Sequence, residues 1–359
     1  MPFSAHTSRS TYGLIYCGGT FGCVGQPLAP MSAEHFLPHL QPILSERQDA
    51  TWQVQSLTTL KDSSQVEPCD WLDLLHLIVS MYQSGIRQII VIHGTDTLAY
   101  TACFLAEALV GSDLNVVVTG SQLPLLHATT HVLDPHSDAI DNLTVACAAL
   151  HQQRAGVRVA FNGESWHAQT VQKVHSRDLS AFAGHSRAGY PAASYQPLSD
   201  RQRLHWLADM DQRLIHLATQ LGQSRISVYH AVPQPLDHSA RQLELLLSDP
   251  HDGLILLGYG LGNFPDHPQI RALLKRAHQQ GTLVVLSTQV PYGGTEARYA
   301  SGDWLSSVGV LPSARLTLSA IYARLVWLCA TRDTPAERRR RWTTCLNDTR
   351  TTARDQLID

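Results

Sequence analysis

A chain of 359 residues, 44% hydrophobic and only 16% charged, is long enough for more than one core and too apolar for a disordered segment. Its formal net charge of −3 gives no electrostatic footprint for nucleic acid or for an anionic membrane surface. No apolar run approaches the length a membrane-spanning helix requires, so neither kind of partner is expected.

Strand and helix signals alternate from the start. Residues 12–16 predict a first strand ending in the glycine-rich turn Cys17-Gly18-Gly19-Thr20-Phe21-Gly22. Residues 51–57 alternate polar and apolar as a second strand and run into Leu60-Lys61-Asp62-Ser63-Ser64. A helix is expected from about Pro68 to Met81, because Trp71, Leu74, Leu75 and Ile78 fall at i, i+3, i+4 and i+7. The run Ile89-Ile90-Val91-Ile92 is a third strand; His93-Gly94-Thr95-Asp96-Thr97 follows it, and a helical pattern begins at Leu98. Residues 114–118 predict a fourth strand that ends in Thr119-Gly120-Ser121-Gln122, with a helix over 141–152 and a strand over 157–161 beyond it. Residues 190–222 read as a connection, poor in periodic signal at first and then polar and helical to about Gln220. Further strands are predicted at 226–229, 253–257 and 283–286, and a buried helix over 312–328. Glu337-Arg338-Arg339-Arg340-Arg341 reads as a solvated helix face rather than a nucleic-acid patch. Interleaved strands and helices call for an α/β chain of two domains: a larger doubly wound, mostly parallel sheet over 1–189 and a smaller α/β domain over 223–359.

The chemistry is read from the strand ends. Four successive strands each run into a hydroxyl-bearing loop: Thr20, then Ser63 with Ser64, then Thr95 with Thr97, then Ser121. A parallel sheet places those ends together, where open α/β sheets bind their ligands. Any one of these hydroxyls is more simply a helix cap, but four in a row around Asp96 suit acyl transfer. A threonine oxygen attacks an amide or ester carbonyl and neighbouring backbone N–H groups hold the oxyanion. Nothing points to a metal or other cofactor. The 19 histidines contain no H-E-x-x-H spacing, and no glycine turn has the G-x-G-x-x-G or G-K-[ST] form of a nucleotide loop. Seven cysteines without a C-x-x-C pair, and a first segment without the pattern of a signal peptide, predict reduced thiols and a cytoplasmic protein.

Those same motifs resemble a known family. Cys17-Gly18-Gly19-Thr20-Phe21-Gly22 is similar to the first signature of bacterial L-asparaginases and His93-Gly94-Thr95-Asp96-Thr97 to their second. The likeness continues through Asp62-Ser63-Ser64, Thr119-Gly120-Ser121-Gln122-Leu123-Pro124, Gly258-Tyr259-Gly260-Leu261-Gly262-Asn263 and Thr288-Gln289, and the D-S-S variant resembles the cytoplasmic, type I branch. The resemblance implies the asparaginase/glutaminase fold and hydrolysis of L-asparagine to L-aspartate and ammonia, and leaves open whether L-glutamine is also accepted. It implies Thr20 as nucleophile of an acyl-enzyme, and Thr95, Asp96 and Lys173 as the proton-relay group. Asp96 would also pair with the substrate's α-ammonium. Asp62, Ser63 and Ser64 would surround its α-carboxylate. Ser121 would offer a main-chain carbonyl near the side-chain amide. Asn263 would face a neighbouring subunit's site, implying a homodimer or homotetramer.

The chain also departs from that pattern. Between Phe21 and His35 it has no tyrosine, where relatives carry one close to the first threonine. The segment from His127 to Asp138 is longer and richer in histidine than usual, and Arg315-Leu316-Thr317-Leu318-Ser319-Ala320 lacks two carboxylates of the family motif. Leu257 stands where many type I members have an arginine, which predicts loss of any effector control that needs it. These departures motivate one alternative expectation, a non-catalytic asparagine- or aspartate-binding homologue.

Overall fold

A computed structural model describes residues 10–47, 50–152, 154–184, 197–296, 300–331 and 334–354. The chain divides into two compact units. The first is Met1–His167, Lys173–Ala183 and Ala193–Asp209; the second is Ala168–Gln172, Gly184–Ala192 and Met210–Asp359.

In the first unit the chain runs β1 (Ser10–Gly18), a small hairpin β2 (Cys23–Val24) and β3 (Ala29–Pro30), then α1 (Ala33–Ser45), β4 (Ala50–Lys61), α2 (Pro68–Gln83), β5 (Gln88–Ile92) and α3 (Leu98–Ala108). It continues through β6 (Asn115–Thr119), α4 (Ala139–His151), β7 (Gly156–Phe161) and β8 (Glu164–His167). The main sheet has the order β4-β1-β5-β6-β7-β8. Every pair is parallel except β7 with β8, which turn on Asn162-Gly163, both at positive φ (47° and 82°) as a two-residue hairpin requires. Because the chain steps from β1 to β4 on one side and then to β5 on the other, direction reverses beside β1. The crevice at that switch point is where such sheets take ligands.

Alternation along the strands fills both faces. Leu14, Tyr16, Ile90 and Ile92 point into one cluster with Phe36 and Leu40 of α1 and Leu143 and Ala146 of α4. Ile15, Ile89 and Val91, also fully buried, fall on the opposite face, the side of α2 and α3, where Trp71 stacks on Phe104 at 4.9 Å. Each such aliphatic side chain contributes about 1.5–3 kcal/mol by leaving water. Lys173 ends β9 (Val171–Lys173), and β10 (Phe182–Gly184) follows. The expected connection, 190–222, lies outside the described residues over 190–196 and otherwise carries α5 (Asp200–Gln220). The start of α5 is pinned within the first unit. Trp206 meets Tyr82 edge-on at 5.2 Å, and buried Asp113 accepts from the Tyr82 hydroxyl (2.5 Å) and the Leu198 N–H (3.1 Å), with Arg87 and Arg203 each at 3.6 Å.

The second unit holds β11 (Ile226–His230), α6 (Leu236–Leu246), β12 (Gly253–Gly258), α7 (Pro268–Gln279), β13 (Leu283–Thr288), α8 (Ala300–Ser307), β14 (Leu311–Pro312), α9 (Leu318–Ala330) and α10 (Pro335–Arg354). Its four strands form one parallel sheet in the order β11-β12-β13-β14. The helix expected over 312–328 begins six residues later than the apolar pattern suggests. Pro312 closes β14, Ala314 takes a positive φ of 53°, and Thr317 caps α9 by accepting from the Ala320 N–H. The arginine run lies on α10, where Arg339 donates to the Gly309 carbonyl (2.6 Å) and Arg338 faces Asp252 at 3.8 Å, so part of it serves the fold. Among the described residues no helix is long and apolar enough to cross a membrane, and no group of three His, Cys, Asp or Glu could hold a metal ion.

Candidate active site

The loops after β4, β1, β5 and β6, neighbours in the sheet, stack at its carboxyl edge, and glycines set how closely. Gly18 and Gly19 (φ 85° and 83°) turn the chain out of β1 into the single helical turn Thr20–Gly22. A side chain on Gly19 would collide with the backbone of Gly94, one on Gly94 with Ser63 Oγ and Cβ (2.5 and 2.6 Å), and one on Gly120 with the His93 carbonyl. The loops bearing Thr20 and Thr95 are therefore in backbone contact, the Ser63 side chain packs against the second of them, and the Ser121 loop lies against its His93 carbonyl. The Thr20 turn is braced on its other side by Leu125 N–H to Phe21 carbonyl (3.0 Å), Gly25 N–H to Ala128 carbonyl (3.2 Å) and Met31 N–H to Gly22 carbonyl (2.9 Å). Part of the long His127–Asp138 segment is thus a backing for the Thr20 loop.

Thr20 is half-buried, and among the described residues its hydroxyl has no hydrogen-bond partner. Two thiols flank it, but neither competes as a nucleophile. Burial pushes the Cys17 thiol far up; burial and, second, the Asp62 charge push Cys23 to about 11. Both stay protonated at neutral pH, and a thiol attacks as its thiolate. The Tyr16 hydroxyl lies over Gly22, with its ring stacked on Phe36 at 4.5 Å, and burial raises its phenol as well.

His93 locks the second signature from behind. Its Nδ1 lies 2.8 Å from the Gly94 carbonyl, which can only accept, so Nδ1 carries the proton. Its Nε2 then accepts from Thr101 Oγ1 (3.0 Å), which itself accepts from Trp71 Nε1 (2.9 Å). Burial lowers the His93 pKa and keeps the ring neutral. The role is structural: it fixes the carbonyl of the residue that Gly19 packs upon.

In front of that frame, Lys173 Nζ donates to Thr95 Oγ1 (2.8 Å) and Asp96 Oδ1 (2.7 Å). Burial grades outward. Thr95 is 5% exposed, and the side chains of Lys173 and Asp96 are 22% and 60% exposed. Three of the four groups assigned to catalysis thus form one connected cluster, and the fourth, Thr20, follows the glycine against which their loop packs.

Ser63 is buried between the same loops. Its Oγ accepts from the Asp96 N–H (3.3 Å), and its carbonyl accepts from Thr97 Oγ1 (2.7 Å). The Ser63 hydroxyl proton is uncommitted among the described residues, so the group can donate to an anion. Asp62 is held by Ser64, whose hydroxyl (2.7 Å) and N–H (2.8 Å) both donate to it and lower its pKa. Ser121 presents no hydroxyl to the crevice, because its Oγ is buried and donates to the Leu123 carbonyl (2.6 Å). What that position can offer is its main chain. Asn263 lies in the second unit, in the tight loop after β12 closed by reciprocal Tyr259–Asn263 backbone bonds of 2.8 Å.

Three polar residues that sequence reasoning passed over complete the frame. Buried Asp138 accepts from the backbone N–H groups of Gln122 (3.0 Å) and Leu123 (2.9 Å) and from Asn142 Nδ2 (2.8 Å). Asn142 also donates to the Gly120 carbonyl (3.0 Å) and accepts from the Asn162 N–H (2.7 Å). Gln122 bonds Thr95 directly, Thr95 Oγ1 donating to its Oε1 at 3.2 Å. The available signal was the S-D-x-x-x-N spacing of Ser137, Asp138 and Asn142, whose polar residues open a helix that is otherwise apolar.

A two-unit α/β chain with a threonine turn, a Thr–Lys–Asp cluster graded from buried threonine to exposed carboxylate and a hydroxyl-lined crevice at the switch point of its larger sheet has the architecture of an acyl-transfer hydrolase. The family is defined by comparison: residues 13–198 match the model described as asparaginase, N-terminal, and residues 232–341 the glutaminase/asparaginase C-terminal domain, so the chain belongs to the asparaginase family. It is 29% identical to L-asparaginase 1 of Escherichia coli K12, over 89% of this chain and 91% of that protein. It is also 29% identical to the L-asparaginase of Thermococcus kodakarensis, over 76% and 78%. The crystal structure of L-asparaginase I from Vibrio cholerae superposes with a TM-score of 0.72 at 25% identity, covering 93% of this chain and 97% of that one.

Proposed function

We propose that the chain hydrolyses L-asparagine to L-aspartate and ammonia through an acyl-enzyme on Thr20. Thr20 Oγ attacks the side-chain amide carbon, and the oxyanion is met by backbone N–H groups of the crowded loop edge. Collapse expels ammonia, which leaves with a proton, and the resulting ester is cleaved by water, restoring the hydroxyl. Thr95 and Lys173 carry protons in these steps. Ser63 and the main chain of Ser64 receive the α-carboxylate, while Asp96, the exposed member of the cluster, takes the α-ammonium in a charge-assisted contact. That pair of contacts selects free amino acids over peptides. Asn263 serves a neighbouring subunit in a homodimer or homotetramer, and the compartment is the cytoplasm.

The single observation that carries this reading is Lys173 Nζ placed 2.8 Å from Thr95 and 2.7 Å from Asp96, on a loop in backbone contact with that of Thr20. The test is ammonia release from asparagine and glutamine by the purified chain, Thr20→Ala and Lys173→Met. Thr20→Ala should lose turnover yet still be stabilised thermally by aspartate. Lys173→Met should lose at least about 10² in kcat, the low end of what positioned proton transfer contributes, with little change in melting because its ion pair is with a well-exposed carboxylate. Full activity in Thr20→Ala would end the proposal.

A further inference from the structure

Thr95 Oγ bonds side chains from two different segments at once. It accepts from Lys173 Nζ at 2.8 Å and donates to Gln122 Oε1 at 3.2 Å. The far end of Gln122 fixes which way its amide faces. Nε2 lies 3.2 Å from the Asp178 carbonyl, which can only accept, so the NH2 points there and the oxygen must face Thr95. An amide oxygen cannot donate, and the Lys173 amine is already a donor, so the Thr95 proton lies along the line to Gln122. The remaining lone pair of Thr95 Oγ is thereby turned away from both partners.

Gln122 is itself held at both ends. Its backbone N–H is gripped by the buried Asp138 carboxylate at 3.0 and 3.1 Å. The segment it reaches is folded on itself: the N–H groups of Arg177 (3.1 Å) and Asp178 (2.8 Å) both donate to His175 Nδ1, and Ser180 N–H donates to Asp178 Oδ1 (2.8 Å). Gln122 therefore spans from the loop after β6, across Thr95, to the segment that follows Lys173.

We propose that Gln122 is a positioning residue of the reaction, which orients the Thr95 hydroxyl so that its open lone pair, and not its proton, faces the attacking water. This rests on the acyl-enzyme reading above. A hydroxyl presented lone pair first accepts a hydrogen bond from the water and aims its oxygen at the ester carbon; as the carbon–oxygen bond to Thr20 breaks, the water's proton passes to Thr20 Oγ and restores that hydroxyl. A hydroxyl free to rotate would spend part of its time donating toward the crevice, and would then hold the water with its lone pair engaged rather than free to attack. Gln122 need not touch the substrate to do this; it acts through Thr95.

The test is steady-state kinetics with asparagine on the wild-type chain, Gln122→Met, Gln122→Glu, Thr95→Ala and the Gln122→Met/Thr95→Ala double variant. Methionine keeps the length and removes the acceptor; glutamate keeps an acceptor toward Thr95 but cannot donate to Asp178. Gln122→Met should lower kcat about 10- to 100-fold with KM within about threefold, part of the 10²–10⁴ that a positioned proton transfer supplies. Gln122→Glu should regain a substantial part of that loss. In the Thr95→Ala background Gln122→Met should cost almost nothing further, because its route is already gone. Unchanged kcat in Gln122→Met, a rise in KM alone, equal loss in the Met and Glu variants, or independent losses in the double variant would each overturn the proposal. An inactive wild-type chain would instead remove the asparaginase reading, and this role with it.

Discussion

Gly19→Ala probes the contact on which the crevice depends. Gly19 has φ 83° and ψ −177°, a region of backbone space that is essentially glycine's alone. Holding alanine there costs about 1–3 kcal/mol. The new methyl group would also overlap the main chain of Gly94, which cannot swing aside as a side chain does, and such overpacking adds about 1–3 kcal/mol. The sum is about 2–6 kcal/mol, relieved in part by the two loops moving apart by about 1 Å, and a displacement of that size at reacting groups costs about 10² in rate. The measurement pairs denaturant unfolding with asparagine turnover, against Gly163→Ala as a control. Gly163 shares the positive φ (82°) but has open space around an added Cβ, so it tests the positive φ without the collision. Gly19→Ala should lose both stability and at least about 10² in kcat, Gly163→Ala only a modest part of its stability. Equal behaviour of the two variants would refute the claim that loop contact sets the site.

Three further outcomes follow from the electrostatics. Asp113→Ala leaves Arg87 and Arg203 without their buried carboxylate and should cost about 3–5 kcal/mol in denaturant unfolding while KM holds. His93 is buried with its pKa lowered from 6.5, so the unfolded chain takes up its proton first; its contribution is complete above about pH 6.5 and is lost as pH falls toward the folded value. Stability measured from pH 7 to 5 should decline, and His93→Gln should flatten that decline. Ser64→Ala removes the hydroxyl that does most to hold the Asp62 carboxyl low, so the Asp62 pKa, followed by NMR, should rise toward its ordinary value of 3.8.

The strands were legible because β-branched runs such as Ile89-Ile90-Val91-Ile92 are buried on both faces and leave continuous apolar stretches. The convergence of Thr20, Ser63, Thr95 and Ser121 was legible too, since a parallel sheet brings successive carboxyl ends to one edge. The helix α1 was not, because Pro38 and Pro42 interrupt it, although Phe36, Leu40 and Leu44 still bury one face. The start of α9 was misread because apolar residues continue through β14 and the turn at Ala314, and periodicity alone does not separate a short strand from a helix. At the site, residue type suggested that Ser121 offers a hydroxyl, but a 2.6 Å bond to its own loop consumes it. Gln122, Asp138 and Asn142 act through tertiary bonds whose partners lie 15 or more residues away in several cases, a separation no local pattern encodes.

The distribution of cysteines has a practical consequence. Of the six whose side chains are described, Cys17, Cys23, Cys103, Cys147 and Cys329 are buried and only Cys69, at the start of α2, is exposed. A maleimide fluorophore would therefore settle at Cys69, six residues beyond Ser63, once Cys345 is changed to serine. The molecule carries a natural attachment point for an optical reporter next to the loop that would receive the amino-acid carboxylate, and occupancy of the crevice could be followed by emission alone.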